Sequence, residues 1–176
     1  SSEELAARGQ TTAAQVRKDL SHFGSFGKRG LGYRADELRE RLGTILGVDR
    51  TWRVALVGAG RIGLALFEYP AFRSRGYKCV AIFDSDPAKV GSLWGDLPIR
   101  GPEEFEYTLS KLDVELVILA IPAAGAQDMA ARAVEVGVKG ILNFAPILLN
   151  IPPAVSVEDV NLVMELEALS FSITQK

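Results

Sequence analysis

The sequence predicts an α/β protein in which a small, basic, helical domain precedes a doubly wound parallel sheet. Two observations carry this prediction: a glycine-rich turn set between an apolar strand and a helix, and an uneven distribution of charge along the chain. The 176 residues are 48% hydrophobic, which is enough for one or two globular domains. No apolar run reaches the roughly 18 residues of a membrane span. A single cysteine and a single histidine disfavour a disulfide framework and a Cys- or His-based metal site, and suit a cytoplasmic protein.

The net charge of −2 hides a basic segment near the start of the chain. Residues 1–50 hold nine Lys and Arg against seven Asp and Glu, whereas residues 51–176 hold eleven against fifteen. Between residues 8 and 34, six basic side chains face one acid, Asp19. A whole-chain balance therefore argues against nucleic-acid binding only for the second part of the molecule.

The first 24 residues predict two helices separated by a short turn. Ser1 or Ser2 caps a helix that runs to about Arg8, and Thr11 or Thr12 caps a second helix. Apolar residues spaced i, i+4 and i+7 predict the buried face of this second helix: Val16, Leu20 and Phe23. The exposed faces then carry the candidate DNA contacts Gln15, Arg17, Lys18 and Ser21, together with His22. This arrangement is typical of a helix-turn-helix.

Residues 25–33 (SFGKRGLGY) predict a tight hairpin with Lys28 and Arg29 at its tip, in effect the wing of a winged-helix domain. An amphipathic helix over 35–46 follows, and residues 1–48 form the predicted domain. Only two helices precede the wing, so the chain is expected to begin inside the domain, without its first helix. The alternative is a set of solvated cations around a small helical domain that binds no DNA.

A second domain, residues 49–156, begins with a strand over 52–57 that runs into a G-x-G-x-x-G turn and a helix. In this context the motif predicts a Rossmann-type dinucleotide site, with the pyrophosphate at the helix N-terminus. The residues of the turn are Gly58, Ala59, Gly60, Arg61, Ile62 and Gly63. The alternative is a glycine turn that serves packing alone.

The next strand, over 77–84, ends in Asp84, where an acid accepts hydrogen bonds from the adenosine ribose. A carboxylate there repels a 2′-phosphate, so the expected cofactor is NADH or NAD⁺ rather than its phosphorylated form. Asp86 lies close enough to share this role.

Two further strands, 115–122 and 140–144, complete the predicted sheet, with a crossover helix over 123–137 between them. Their carboxyl ends lie on the ligand side and supply further candidate cofactor contacts: Ala120, Ile121, Pro122 and Asn143. Residues 157–176 predict a last helix that is apolar on more than one face, which suits burial against a partner subunit.

Groups suited to enzymatic chemistry are sparse, and no enzyme activity is predicted. His22 lies in the basic segment, and Cys79 falls inside a strand. Tyr107 and Lys111 have the Y-x-x-x-K spacing of short-chain dehydrogenases but follow the glycine turn too soon. Only about 30 residues follow the last core strand, too few for a substrate domain. Cofactor binding without catalytic groups indicates sensing.

Four segments resemble the Rex family of bacterial redox-sensing transcriptional repressors: residues 15–33, 57–72, 83–91 and 140–147. The resemblance implies a cytoplasmic homodimer with an N-terminal winged helix and a C-terminal Rossmann domain that binds NADH or NAD⁺. In the family, NADH binding releases palindromic operator DNA. Two alternatives from other classes stay open: an NAD-dependent oxidoreductase or cofactor-binding subunit, and a protein that binds another nucleotide such as coenzyme A.

The resemblance also assigns roles to residues. It puts Gln15, Arg17, Lys18 and Ser21 on the recognition helix and Lys28 and Arg29 on the wing. It places Tyr69 near the nicotinamide, and makes the last helix the one exchanged between subunits, with Asn161 and Leu162 near the partner's cofactor. Some members carry an acid and an aromatic residue at those last two positions, so a switch that uses a tyrosine–carboxylate contact there is modified in this chain.

Replacing Arg29 with alanine is expected to weaken DNA binding while leaving NADH affinity unchanged, because the wing and the cofactor site belong to different domains. Gel shifts and NADH titrations measure the two affinities separately. Joint loss of both would contradict the division into two domains.

Overall fold

The computed structural model describes residues 1–24, 26 and 32–175. The chain forms two compact units, Ser1–Arg50 and Thr51–Lys176, and each is described by itself. The predicted wing residues Lys28 and Arg29 lie outside the described residues.

The described residues of the first unit form three helices: α1 (Ser2–Arg8), α2 (Ala13–Ser21) and α3 (Ala35–Leu46). Helix α1 begins with a reciprocal capping box between Ser1 and Glu4. The Thr12 hydroxyl accepts a hydrogen bond from the Gln15 amide and fixes the start of α2. The helix boundaries expected from the capping residues are therefore close to those observed.

The buried face expected for α2 was wrong in extent. Val16 and Leu20 are only half-buried, and Phe23 is 50% exposed. A unit of this size encloses few side chains completely, and among its described residues only Ala6 and Leu38 form a buried apolar core.

The second unit is built on a seven-stranded sheet with the order β3-β4-β2-β1-β5-β6-β7. Its strands are β1 (Trp52–Val57), β2 (Tyr77–Phe83), β3 (Leu93–Trp94), β4 (Leu97–Arg100), β5 (Leu116–Leu119), β6 (Gly140–Asn143) and β7 (Ser156–Asp159). Every pairing is parallel except that of β3 with β4. Without the short strand β3, the order is the 3-2-1-4-5-6 of a doubly wound dinucleotide-binding sheet. The predicted α/β class with a doubly wound, mostly parallel sheet is confirmed.

Helices cover the two faces of this sheet unequally. They are α4 (Arg61–Glu68), α5 (Pro70–Ser74), α6 (Phe105–Lys111) and α7 (Ala123–Glu135), with a 3₁₀ turn over Pro102–Glu104. Residues of α6 and α7 pack on one face around Phe83, whereas Phe67 and Phe72 of α4 and α5 pack on the other. Beyond α4 and α5 the second face opens into an apolar groove of about 420 Å³ over β1, β5 and β6.

The end of the chain corrects the predicted helix over 157–176. Residues Ser156–Asp159 instead form β7, which pairs with β6, and α8 spans Leu162–Thr174. The Asn161 side chain accepts hydrogen bonds from the amides of Val163 and Met164 and so starts the helix after the strand. Across the described part of the chain, no helix has the length and apolar character needed to span a membrane.

Candidate functional site

The predicted cofactor residues meet at one edge of the sheet because the strand register brings their carboxyl ends level. Val57 at the end of β1 pairs with Phe83 on one side and Leu119 on the other. The Gly58 amide donates to the Phe83 carbonyl, and the Ala120 amide donates to the Val57 carbonyl, both at 2.8 Å. This edge is where an open α/β sheet binds ligands.

The three glycines of the turn have two different structural roles. Gly58 has a φ of +104°, and a side chain there would overlap the backbone carbonyl of Ala120. A side chain at Gly63 would overlap the carbonyl of Gly58. At Gly60, by contrast, an added Cβ would meet no atom within 4 Å. The outer glycines are therefore required by packing, and the middle one faces open space that a ligand can enter.

Helix α4 begins at this opening. Gly60 is its N-cap residue, and no side chain caps the helix. The first-turn amides of a helix have no partner within the helix, and they carry a partial positive charge that favours anions. Gly60, Arg61 and Ile62 are all exposed. These features fit the pyrophosphate of a dinucleotide.

Asp84 follows β2 and closes the other side of the turn. Its Oδ2 atom accepts a hydrogen bond from the Ala59 amide at 2.8 Å, and its Oδ1 atom accepts one from the Asp86 amide at 2.8 Å. Burial raises the pKa of Asp84, but the Asp86 amide, the Lys89 ammonium and the Ala59 amide together hold it below its usual range. Asp84 is thus a carboxylate at neutral pH, as a ribose acceptor must be.

Lys89 is a site residue that the sequence analysis missed. Asp86, Pro87 and Ala88 form a tight turn in which the Lys89 amide donates to the Asp86 carbonyl at 2.9 Å. The turn brings the Lys89 ammonium to 3.1 Å from Asp84 Oδ2 and 3.9 Å from Asp86 Oδ2. Pro87, directly after Asp86, is the residue in the sequence that would have predicted this turn.

Asn143 at the end of β6 is fully buried and occupied by protein partners. Its Nδ2 atom donates to the Ile147 carbonyl at 2.9 Å and to Asp159 Oδ1 at 2.7 Å, and its Oδ1 atom accepts from the Ala145 amide at 3.0 Å. Both amide protons are therefore in use. Direct contact between Asn143 and a cofactor stays a prediction, while its structural role is to shape the loop after β6.

The remaining predicted cofactor residues lie around the same edge. Ala120 and Ile121 follow β5 and are half-buried, and Pro122 is the N-cap residue of α7. Tyr69 follows α4, is 54% exposed and packs edge-on against Phe72 with ring centroids 5.6 Å apart. Their roles beside the nicotinamide remain predictions.

The candidate DNA residues Gln15, Arg17, Lys18 and Ser21 are all exposed on α2. The Gln15 amide nitrogen donates to Asp19 Oδ1 at 2.6 Å, and the Ser21 hydroxyl donates to the Lys18 carbonyl at 2.6 Å. Asp19 thus orients Gln15, and α2 presents two cations and an amide to solvent.

The groups considered for enzymatic chemistry are poorly arranged for it. The Lys111 ammonium lies over the Tyr107 ring, 5.4 Å from its centroid, and Tyr107 is 67% exposed. Burial raises the pKa of the Cys79 thiol to about 11, which disfavours a thiolate nucleophile. The described residues contain no group of three or more His, Cys, Asp and Glu placed to hold a metal.

The fold and this edge define a protein of the dinucleotide-binding Rossmann class, joined to a small helical unit. Residues 49–147 match the family described as the CoA binding domain. The redox-sensing transcriptional repressor Rex of Carboxydothermus hydrogenoformans is 46% identical over 173 residues, which cover 98% of this chain and 83% of that protein.

Solved structures give the same result. RSP in complex with beta-NAD⁺ and operator DNA has a TM-score of 0.93 and 37% identity, and the match covers 99% of this chain and 81% of that one. RSP in complex with beta-NADH has a TM-score of 0.84 and 35% identity, with 99% and 82% covered. The chain belongs to the Rex family of redox-sensing transcriptional repressors, as its sequence motifs predicted.

Replacing Gly63 with alanine is expected to lower the free energy of unfolding by about 2–4 kcal/mol, because the new methyl group displaces the turn at Gly58. Gly60→Ala is the matched control and should change it by less than about 1 kcal/mol, since its Cβ meets open space. Chemical denaturation measures both. Equal losses at the two positions would contradict the separate roles of these glycines.

Proposed function

We propose that this chain is a repressor that binds operator DNA and senses the NADH/NAD⁺ ratio, with NADH binding releasing the DNA. The proposal rests on the presence of two features in one chain. The first is an uncapped helix N-terminus beside the charged Asp84, and the second is the basic, exposed helix α2. The RSP structures, which hold beta-NAD⁺ with operator DNA or beta-NADH, support both halves of this pairing.

For the DNA half, α2 serves as the recognition helix. Arg17 and Lys18 supply phosphate or guanine contacts, and Gln15 and Ser21 supply hydrogen bonds to base edges. Lys28 and Arg29 reach the minor groove from the predicted wing. A palindromic operator matches two copies of this helix related by a two-fold axis. Since a bacterial operator lies in the cytoplasm, the proposal includes a cytoplasmic localisation.

For the cofactor half, Asp84 decides among adenosine nucleotides. A carboxylate accepts hydrogen bonds from a free ribose diol, as in NADH and NAD⁺. It repels the 2′-phosphate of NADPH, and it equally repels the 3′-phosphate that coenzyme A carries on the same ribose. The match to the CoA binding domain therefore reflects the shared fold, and we assign NADH and NAD⁺ as the ligands.

Helix α8 supports a homodimer. Its large apolar side chains are each at least 57% exposed and lie on more than one face of the helix: Leu162, Val163, Met164, Leu166, Leu169, Phe171 and Ile173. A helix with so much exposed apolar surface is stable only when another surface covers it. We infer that α8 is exchanged between two copies and covered by the partner.

The switch then depends on differential affinity. The nicotinamide ring is cationic when oxidised and neutral when reduced, so the residues around Tyr69, Ala120–Pro122 and Asn143 can favour one dimer geometry over another. NADH must favour a geometry in which the two α2 helices no longer match successive major grooves.

A gel shift on a palindromic site tests the function. The protein should bind with NAD⁺ and be released by NADH, and coenzyme A at the same concentration serves as the ligand control. Equal binding under NADH and NAD⁺ would refute the sensor.

Changing Leu166 and Leu169 of α8 to glutamate should convert the dimer to monomer, because the charges cannot be buried between subunits. Sedimentation equilibrium measures the mass. Tyr107→Glu, at an equally exposed aromatic position outside α8, is the control and should stay dimeric. A dimer that survives the double change would show that α8 is not the interface.

A further inference from the structure

Lys89 lies at the ribose end of the proposed cofactor site. Its positive charge could pair with a phosphate, but the lysine is ion-paired with two carboxylates of the protein. Lys89 lies 3.1 Å from Asp84 Oδ2 and 3.9 Å from Asp86 Oδ2, and its side chain is 39% exposed. Asp84 is only 11% exposed, so this ion pair is screened less than a surface pair.

Hydrogen-bond capacity at Asp84 shows which of its oxygens is available. A carboxylate oxygen accepts about two hydrogen bonds. Oδ2 already accepts from the Ala59 amide and from Lys89, whereas among the described residues only the Asp86 amide donates to Oδ1. A ribose hydroxyl can therefore donate to Oδ1 without moving Lys89. The lysine remains bound to the carboxylate while a free diol is read.

The three side chains of this ion-paired cluster, Asp84, Asp86 and Lys89, have charges that sum to −1. A phosphomonoester carries about −1.5 to −2 at neutral pH, so the wild-type site repels it. Without the charge of Asp84, this sum is zero, and Lys89 loses its 3.1 Å partner and retains the longer 3.9 Å pair with Asp86. We expect its ammonium then to reach a phosphate on the ribose hydroxyls, since it lies 3.1 Å from an oxygen of the carboxylate that would accept hydrogen bonds from them.

We propose that Lys89 is a masked phosphate ligand and that the Asp84–Lys89 pair sets the cofactor specificity of this site. Asp84 accepts hydrogen bonds from the free ribose diol. Because Asp84 also binds Lys89, the lysine is not available to pair with a phosphate on the adenosine ribose. This inference rests on the proposed function, because it assumes that NADH binds at this edge.

Direct titration calorimetry with NADH and NADPH tests the proposal on four proteins: wild type, D84N, K89A and D84N/K89A. Wild type should prefer NADH. D84N should gain about tenfold or more in NADPH affinity, as expected for removing one repulsive charge a few ångströms from a phosphate. D84N/K89A should lose that gain. Coenzyme A in place of NADPH distinguishes a 3′-phosphate from a 2′-phosphate ligand.

D84N/K139A is the matched control, because Lys139 is also ion-paired, with Glu115, and lies at the opposite ends of the strands. It should keep the NADPH gain. The D84N change removes a hydrogen-bond acceptor from a backbone amide, so D86N serves as a second test variant. D86N leaves the Asp84–Ala59 hydrogen bond in place. It should give a smaller gain in NADPH affinity, and adding K89A should remove that gain.

The outcomes separate this inference from the proposed function. A gain in NADPH affinity that persists in D84N/K89A, or no such gain in either D84N or D86N, would overturn the role of Lys89. Normal NADH binding by the wild-type protein would then leave the proposed sensor function intact. Wild-type protein that binds no NADH would instead overturn the proposed function itself.

Discussion

The hydrogen bond from the Ala59 amide to the Asp84 carboxylate is the interaction on which the site depends. It ties the glycine turn after β1 to the end of β2, so that the start of α4 and the carboxylate of Asp84 hold one geometry. The same turn packs closely against the residue after β5 and against α4. A side chain at Gly58 would overlap the Ala120 carbonyl, and a side chain at Gly63 would overlap the Gly58 carbonyl. A charged acceptor makes this bond stronger than one between neutral groups.

Much of this arrangement follows from local sequence. The strand over Trp52–Val57, the G-x-G-x-x-G turn and Asp84 were predictable because each depends on neighbouring residues and on a strongly apolar strand. Strands β4 and β7 were not predictable, since each is four residues long and is defined by parallel pairing with a distant strand. Strand β3 is only two residues long and is defined by its local antiparallel pairing with β4. The contact of Lys89 with Asp84 depends on turn geometry, and the bond from Asn143 to Asp159 depends on β7.

The missed strand also explains how the cofactor edge connects to the last helix. Asn143 donates to Asp159, and the Val160 amide donates back to the Asn143 carbonyl at 2.8 Å. The next residue, Asn161, caps α8. In the proposed repressor, these bonds join the loop beside the nicotinamide to the helix that pairs the subunits. Asn161 serves here as a helix cap.

The most direct test of the sensor is reciprocity between its two ligands. If NADH weakens operator binding by a given factor, thermodynamic linkage requires the operator to weaken NADH binding by the same factor. The NADH dissociation constant should therefore be measured by titration with and without saturating palindromic operator DNA. The proposed function predicts weaker NADH binding on the operator, and the same NADH affinity in both conditions would contradict it.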